Sequence, residues 1–117
     1  MPPAIRLRAV AVLIALLPAA FAGADQATAA TDRVAAGREK FVQCASCHGA
    51  DGRSTVIPQY PKIGGQSAPY VVNALKAYRD GRRQGTYATM MAASAKALTD
   101  DDIENLAAYI ESLGTVQ

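Results

Sequence analysis

The sequence predicts an all-α domain. Apolar residues recur at helical spacing along the second half of the chain, and no stretch alternates apolar and polar residues as a half-buried strand does. Most of the glycines and prolines fall between the periodic segments rather than within them.

The elements follow in chain order. Residues 1–22 have the form of a secretory signal: Arg6 and Arg8, then the apolar run 9–17 (AVAVLIALL), Pro18, and a small-x-small pattern at Ala20-Phe21-Ala22. Ala22-Gly23-Ala24 offers a second cleavage site. An uncleaved anchor is the alternative, but the run is shorter than the roughly 20 apolar residues a span requires. Residues 23–31 read as a flexible linker, and residues 32–117 as one domain. Thr31 and Asp32 are N-cap candidates for a first helix reaching about Cys44, with Val34, Gly37, Phe41 and Ala45 along one face. Gly37 inside a helix costs up to ~1 kcal/mol against Ala, which close approach of a second helix would explain. Gly49, Gly52, Pro58, Pro61, Gly64 and Gly65 then mark a loop. Ser67 caps a second helix with Pro69 in its first turn, Val71, Leu75 and Tyr78 on its buried face and Gly81 as its stop. The last helix opens at Thr99 with three aspartates at the positive end of its dipole, and Leu98 and Ile103 form a staple. Ile103, Leu106, Ala107, Ile110 and Leu113 make its apolar stripe before Gly114.

The chemistry concentrates in Cys44-Ala45-Ser46-Cys47-His48, which holds both cysteines and the only histidine. C-x-x-C-H is the pattern of covalent c-type haem attachment. On a helix, residues three and four apart share a face, so two thiols stand side by side and the imidazole beneath them faces the iron. Three other readings compete. A thioredoxin-like pair needs a strand before it, a zinc site needs four ligands, and a short-loop disulfide needs only the two thiols. Export and haem attachment agree with each other, since both belong to an oxidising compartment. Removing residues 1–22 takes two of the twelve basic residues and no acid, leaving ten Lys/Arg against ten Asp/Glu. A neutral apoprotein gives no footing for nucleic acid or for stable attachment to an anionic membrane.

From Gly37 to Leu113 the chain resembles a class I bacterial cytochrome c. More narrowly, Pro61-Lys62-Ile63-Gly64-Gly65-Gln66, Tyr70, Leu75, Met90-Met91 and Leu98-Thr99-Asp100-Asp101-Asp102-Ile103 resemble one lobe of the two-haem periplasmic cytochromes c. A single C-x-x-C-H departs from that pattern and limits this chain to one haem c, held through Cys44 and Cys47. The resemblance implies about four helices wrapped on the haem, with Gly37 and Phe41 crossing Leu106, Tyr109 and Ile110. It implies a Pro61 carbonyl that accepts a hydrogen bond from His48, although Pro61 reads equally as a turn proline. It also implies a methionine sixth ligand seven residues before Leu98, which is Met91, with Met90 as the alternative and a packing residue otherwise.

His/Met ligation leaves no open coordination position and raises the potential. The expectation is therefore a periplasmic electron carrier rather than an enzyme. Its partners would be other redox proteins, and it would be a monomer or one component of a redox complex. An electron-accepting subunit of a periplasmic dehydrogenase is the first alternative, and a ligand-binding haem sensor the second. A largely uncharged docking rim is expected around Ala45, Ala50, Ala88, Ala92 and Ala93.

Overall fold

In the computed structural model, which describes Met1 and residues 22–114, four helices are joined by irregular loops, with no strand among the described residues. They are α1 (Ala22–His48), α2 (Ala68–Arg79), α3 (Ala88–Ala95) and α4 (Asp100–Ser112). The signal-like segment falls almost wholly outside the described residues. Among those described, no helix is long and apolar enough to cross a membrane.

Helix α1 is longer than the sequence reading allows. It runs unbroken through residues 23–31, expected as linker, and passes Thr31 and Asp32 without a cap. Ala22, Ala24, Ala27, Ala29 and Ala30 supply the reason, since alanine is the strongest helix former. Thr28 and Thr31 turn their hydroxyls back onto the carbonyls of Ala24 and Ala27, both at 3.0 Å, instead of capping. This part of α1 is exposed along its whole length, so it rests on propensity rather than packing.

The other end of α1 packs mainly on α4, and α2 packs on both α4 and α3. Among helices, α3 touches α2 alone. The α1–α4 crossing is centred on Gly37, where an added Cβ would collide with the carbonyl oxygen of Asn105 and lie 2.8 Å from the Cβ of Tyr109. One turn on, Phe41 meets Tyr109 edge-to-face, with centroids 5.2 Å apart. Phe41 is buried together with Val71, Ala95, Leu98, Ile103, Leu106, Ala107 and Ile110. The stripe read for α4 and the crossing implied for Gly37 are thus both present.

Helix α4 starts as its sequence requires. Thr99 Oγ1 accepts from the Asp102 N–H at 3.1 Å, and the Thr99 N–H donates to Asp102 Oδ2 at 3.0 Å. The other Asp102 oxygen pairs with Lys40 at 3.0 Å, so this box also ties α4 to α1. Thr99→Ala is expected to cost about 1 kcal/mol, read as a lowered denaturant midpoint with an unchanged visible spectrum. Helix α2 is capped differently. Ser67 stands at its N-cap but makes no side-chain bond there, and the Ala68 N–H donates instead to Glu111 Oε1 of α4 at 2.9 Å.

Candidate functional site

The last turn of α1 carries the C-x-x-C-H motif, and its helical course sets Cys44, Cys47 and His48 along one cleft. Gly49 ends the helix at φ 82°, in the left-handed region, with its N–H on the Ala45 carbonyl at 3.0 Å. A Cβ there would lie 2.5 Å from the Ser54 carbonyl oxygen, so the chain turns at this point on glycine. Asp51 holds the turn that follows. Its carboxylate accepts from the N–H groups of Arg53 (2.8 Å) and Ser54 (2.7 Å) and from the Ser54 hydroxyl (2.7 Å).

Those bonds, the Ser54 amide first, lower the Asp51 pKa from 3.8 to about 2. A carboxyl depressed in the folded state contributes stability that is complete above its unfolded value and is lost as pH falls through its folded value. Thermal stability should therefore decline between about pH 4 and pH 2, and Asp51→Asn should flatten that part of the profile. An unchanged pH profile in the variant would remove Asp51 from the acid response.

The loop then returns beneath the histidine. Its position is fixed by the Val56 N–H on the Cys47 carbonyl (3.1 Å), the Ile63 N–H on the Gly52 carbonyl (2.8 Å) and the Gly65 N–H on the Ile110 carbonyl (2.8 Å). Pro61 is thereby brought to His48, with its carbonyl oxygen 2.8 Å from Nδ1. A carbonyl only accepts, so Nδ1 carries the proton and Nε2 presents its lone pair. This contact fixes the ring of a buried histidine, 6% exposed, and raises its basicity as a ligand.

The cleft these groups line has a cavity volume of about 180 Å³ and opens to solvent on one side. A second compartment of about 150 Å³ shares His48, Pro61, Leu75, Tyr78 and Met91 with it, so the two are halves of one space. Met91 projects into both halves from α3. Met90 lines the first half only and is 50% exposed, which removes it from the core. Apolar walls come from Leu75, Ala95 and Leu98.

Cys44 and Cys47 are not joined to each other as a disulfide. Burial, and secondarily the neighbouring Cys47, pushes the Cys44 thiol up to about 11, well above the low values of thiol-exchange centres. Among the described residues no group of three or more His, Cys, Asp or Glu gathers around a metal-ion position, so a zinc site lacks its remaining ligands. Two thiols on one cleft, a tautomer-fixed imidazole, a thioether and apolar walls together fit a c-type haem.

The cytochrome c family profile matches residues 34–114. The chain belongs to the cytochrome c family. It is 47% identical to cytochrome c-554(548) of Halomonas halodenitrificans over 78 residues, covering 67% of this chain and 93% of that one. It is 38% identical to cytochrome c4 of Pseudomonas aeruginosa over 78 residues, which cover 67% of this chain but only 37% of the relative. A third relative, at 35% over 72 residues, is a thiosulfate dehydrogenase electron acceptor of Stutzerimonas stutzeri; the match covers 62% of this chain and 33% of the relative. This cytochrome carries one haem c, covalently attached through Cys44 and Cys47.

Three residues of the site had no signal in the sequence. Tyr60 lies 6.5 Å from the His48 ring, centroid to centroid, and meets Tyr87 edge-to-face at 5.4 Å. Arg83 lines the second compartment. All three sit in irregular loops, where no period marks an inward face. Of the alanines expected at the docking rim, Ala50 and Ala93 are exposed, while Ala45, Ala88 and Ala92 are half-buried. Larger apolar side chains are more exposed: Val42 at 73% and Val56 at 65%.

Proposed function

We propose that this cytochrome is a periplasmic one-electron carrier, not an enzyme in its own right, with His48 and Met91 as the axial ligands. When bound, the haem supplies an iron centre that alternates between ferrous and ferric states. The observation that carries the reading is that His48 of α1 and Met91 of α3 line both halves of one cleft without touching helices between them. The chain's own part is to orient the imidazole through Pro61, offer a soft thioether, and surround both with apolar groups that exclude water. With His48 and Met91 both bound to the iron, no coordination position would be left for a substrate, and the methionine would raise the potential. The signal-like residues 1–22 support the periplasm.

Redox proteins are the partners of such a carrier. The dehydrogenase acceptor among the relatives supports a dehydrogenase as the electron donor in a second reading, which co-purification with a catalytic chain would test. The first cleft compartment has no Asp, Glu, Lys or Arg in its lining, and half-exposed Met90 forms part of its wall, which suits a small apolar contact.

The ligand test is a pair of substitutions that nearly conserve volume. Met91→Leu should abolish the far-red Met–iron band, lower the potential and admit carbon monoxide to the reduced protein. Met90→Leu should leave all three unchanged. The reverse pattern would transfer the ligand to Met90, and a band that survives both changes would remove methionine ligation.

A further inference from the structure

We propose that Arg79, the last residue of α2, is the positioning residue for Met91: it clamps the joint between α3 and α4 and so keeps the thioether on the haem iron. The proposal rests on Met91 being the sixth ligand, as read above. Helix α3 carries that ligand, and its two ends are held differently. At its start, Tyr87 makes no side-chain cap bond and touches Tyr60 edge-to-face. Gly81 and Gly85 precede it at positive φ, with nothing within 4 Å of a Cβ added at either. At its other end Ala95 and Leu98 are buried, and the Leu98 N–H donates to the Ala95 carbonyl at 3.0 Å, so the joint continues the last turn of α3.

Arg79 closes on that joint from α2. Its Nη1 donates to the Leu98 carbonyl at 3.1 Å, across 19 positions of chain. The same nitrogen lies 2.8 Å from Asp100 Oδ1 in the first turn of α4, and Nε lies 3.5 Å from Asp80. One guanidinium therefore grips the chain on both sides of the Thr99 cap. A guanidinium suits this place, because its planar fork presents several N–H donors at once where an ammonium is a point charge. The side chain is only 24% exposed, so its charge-assisted bond to Leu98 is partly shielded from water. Two other cations meet the same acid cluster: Lys76 approaches Asp100 at 3.8 Å and Lys40 of α1 pairs with Asp102 at 3.0 Å. Among the described residues, neither lysine bonds a carbonyl of the joint.

The consequence is felt by any added ligand that competes with the thioether. Such a ligand reaches the iron only when α3 lifts Met91 away, so its apparent dissociation constant is the intrinsic one divided by the fraction of molecules that are open. Losing a charge-assisted bond made in the closed state raises that fraction about tenfold. The closed state still dominates, so the resting spectrum stays as it is.

The test is imidazole titrated into the ferric holo-cytochrome, with Tm taken on the same samples. Arg79→Gln should keep the far-red band in the absence of imidazole and lower the imidazole Kd about tenfold. Arg79→Lys and Asp100→Asn should each lower it by part of that, since each keeps one half of the grip. Lys40→Gln removes a cation from the same acid cluster and should leave the Kd unchanged. Gly37→Ala weakens the α1–α4 crossing, so it should lower Tm and leave the Kd unchanged as well. An unchanged Kd in Arg79→Gln would overturn the proposal. An equal fall in Lys40→Gln would also overturn it, by showing that the charge of the cluster matters rather than the Leu98 contact. So would an equal fall in Gly37→Ala, which would mean that the Kd follows global stability. If Arg79→Gln does not accumulate as holo-protein, the other two variants of the grip decide: an unchanged Kd in both rejects the clamp. A far-red band that survives Met91→Leu would instead fail the ligand reading, and it is seen in a different variant, so the two failures are told apart.

Discussion

Cys44→Ala/Cys47→Ala protein is expected to give up its colour to the organic phase on acid-acetone extraction, whereas the unaltered cytochrome keeps it on the chain. The two thiols are the covalent attachment points, and the remaining hold on the cofactor would be His48, a thioether and apolar contact. The loss should extend beyond colour. The buried apolar set is confined to the α1–α2–α4 contact, Ala95 at the end of α3 and Leu98 just beyond it, while the cleft opens between Cys44, Leu75 and Met91. A chain of this size has little core to spare. The double variant should therefore keep much of its helix signal while losing a cooperative thermal transition, as a loosely packed state does. Either single variant should retain one linkage and resist extraction. Colour that stays on the doubly substituted chain would place the attachment elsewhere.

Gly37→Ala should produce the largest loss from one methyl group. The new Cβ would strike the Asn105 carbonyl and the Cβ of Tyr109, which are parts of the α4 framework rather than the free end of a flexible side chain. The helices would have to separate, disturbing the Phe41–Tyr109 contact and the Lys40–Asp102 pair on either side. Overpacking of this kind costs about 1–3 kcal/mol, against which alanine's helix propensity returns up to ~1. The expected result is a fall in Tm of roughly 5–15 °C. An unchanged Tm in Gly37→Ala would show that the α1–α4 crossing tolerates a wider spacing.

What could be read in advance depended on whether a residue's partner was close in sequence. The Cys44, Cys47 and His48 face follows from helical spacing alone, and the Thr99–Asp102 box spans one turn; both are present as read. Gly37 was legible because glycine inside a periodic helix needs a reason. The start of α1 was misread because cap residues were given more weight than the alanine content around them. Helix α3 was not foreseen as a helix: ATMMAASA has no polar face, and Tyr87 at its N-cap makes no side-chain bond. Without the phase of α3, residues 90 and 91 differ only in which way they point, about a quarter turn apart, and only packing on α2 sets that. The Glu111 cap on α2 joins positions 43 apart in the chain, a link that no local pattern encodes.

The two walls of the cleft differ in stiffness. The wall bearing His48 is clamped by α4 along the Gly37 crossing, by Phe41 and Tyr109, and by the loop strapped across to Ile110. The wall bearing Met91 is the short helix α3, whose one helical neighbour is α2. A fluctuation that lifts α3 breaks a single seam, while one that lifts α1 must undo the main interface of the molecule. Local opening therefore has a direction: the wall bearing Met91 parts more readily than the wall bearing His48.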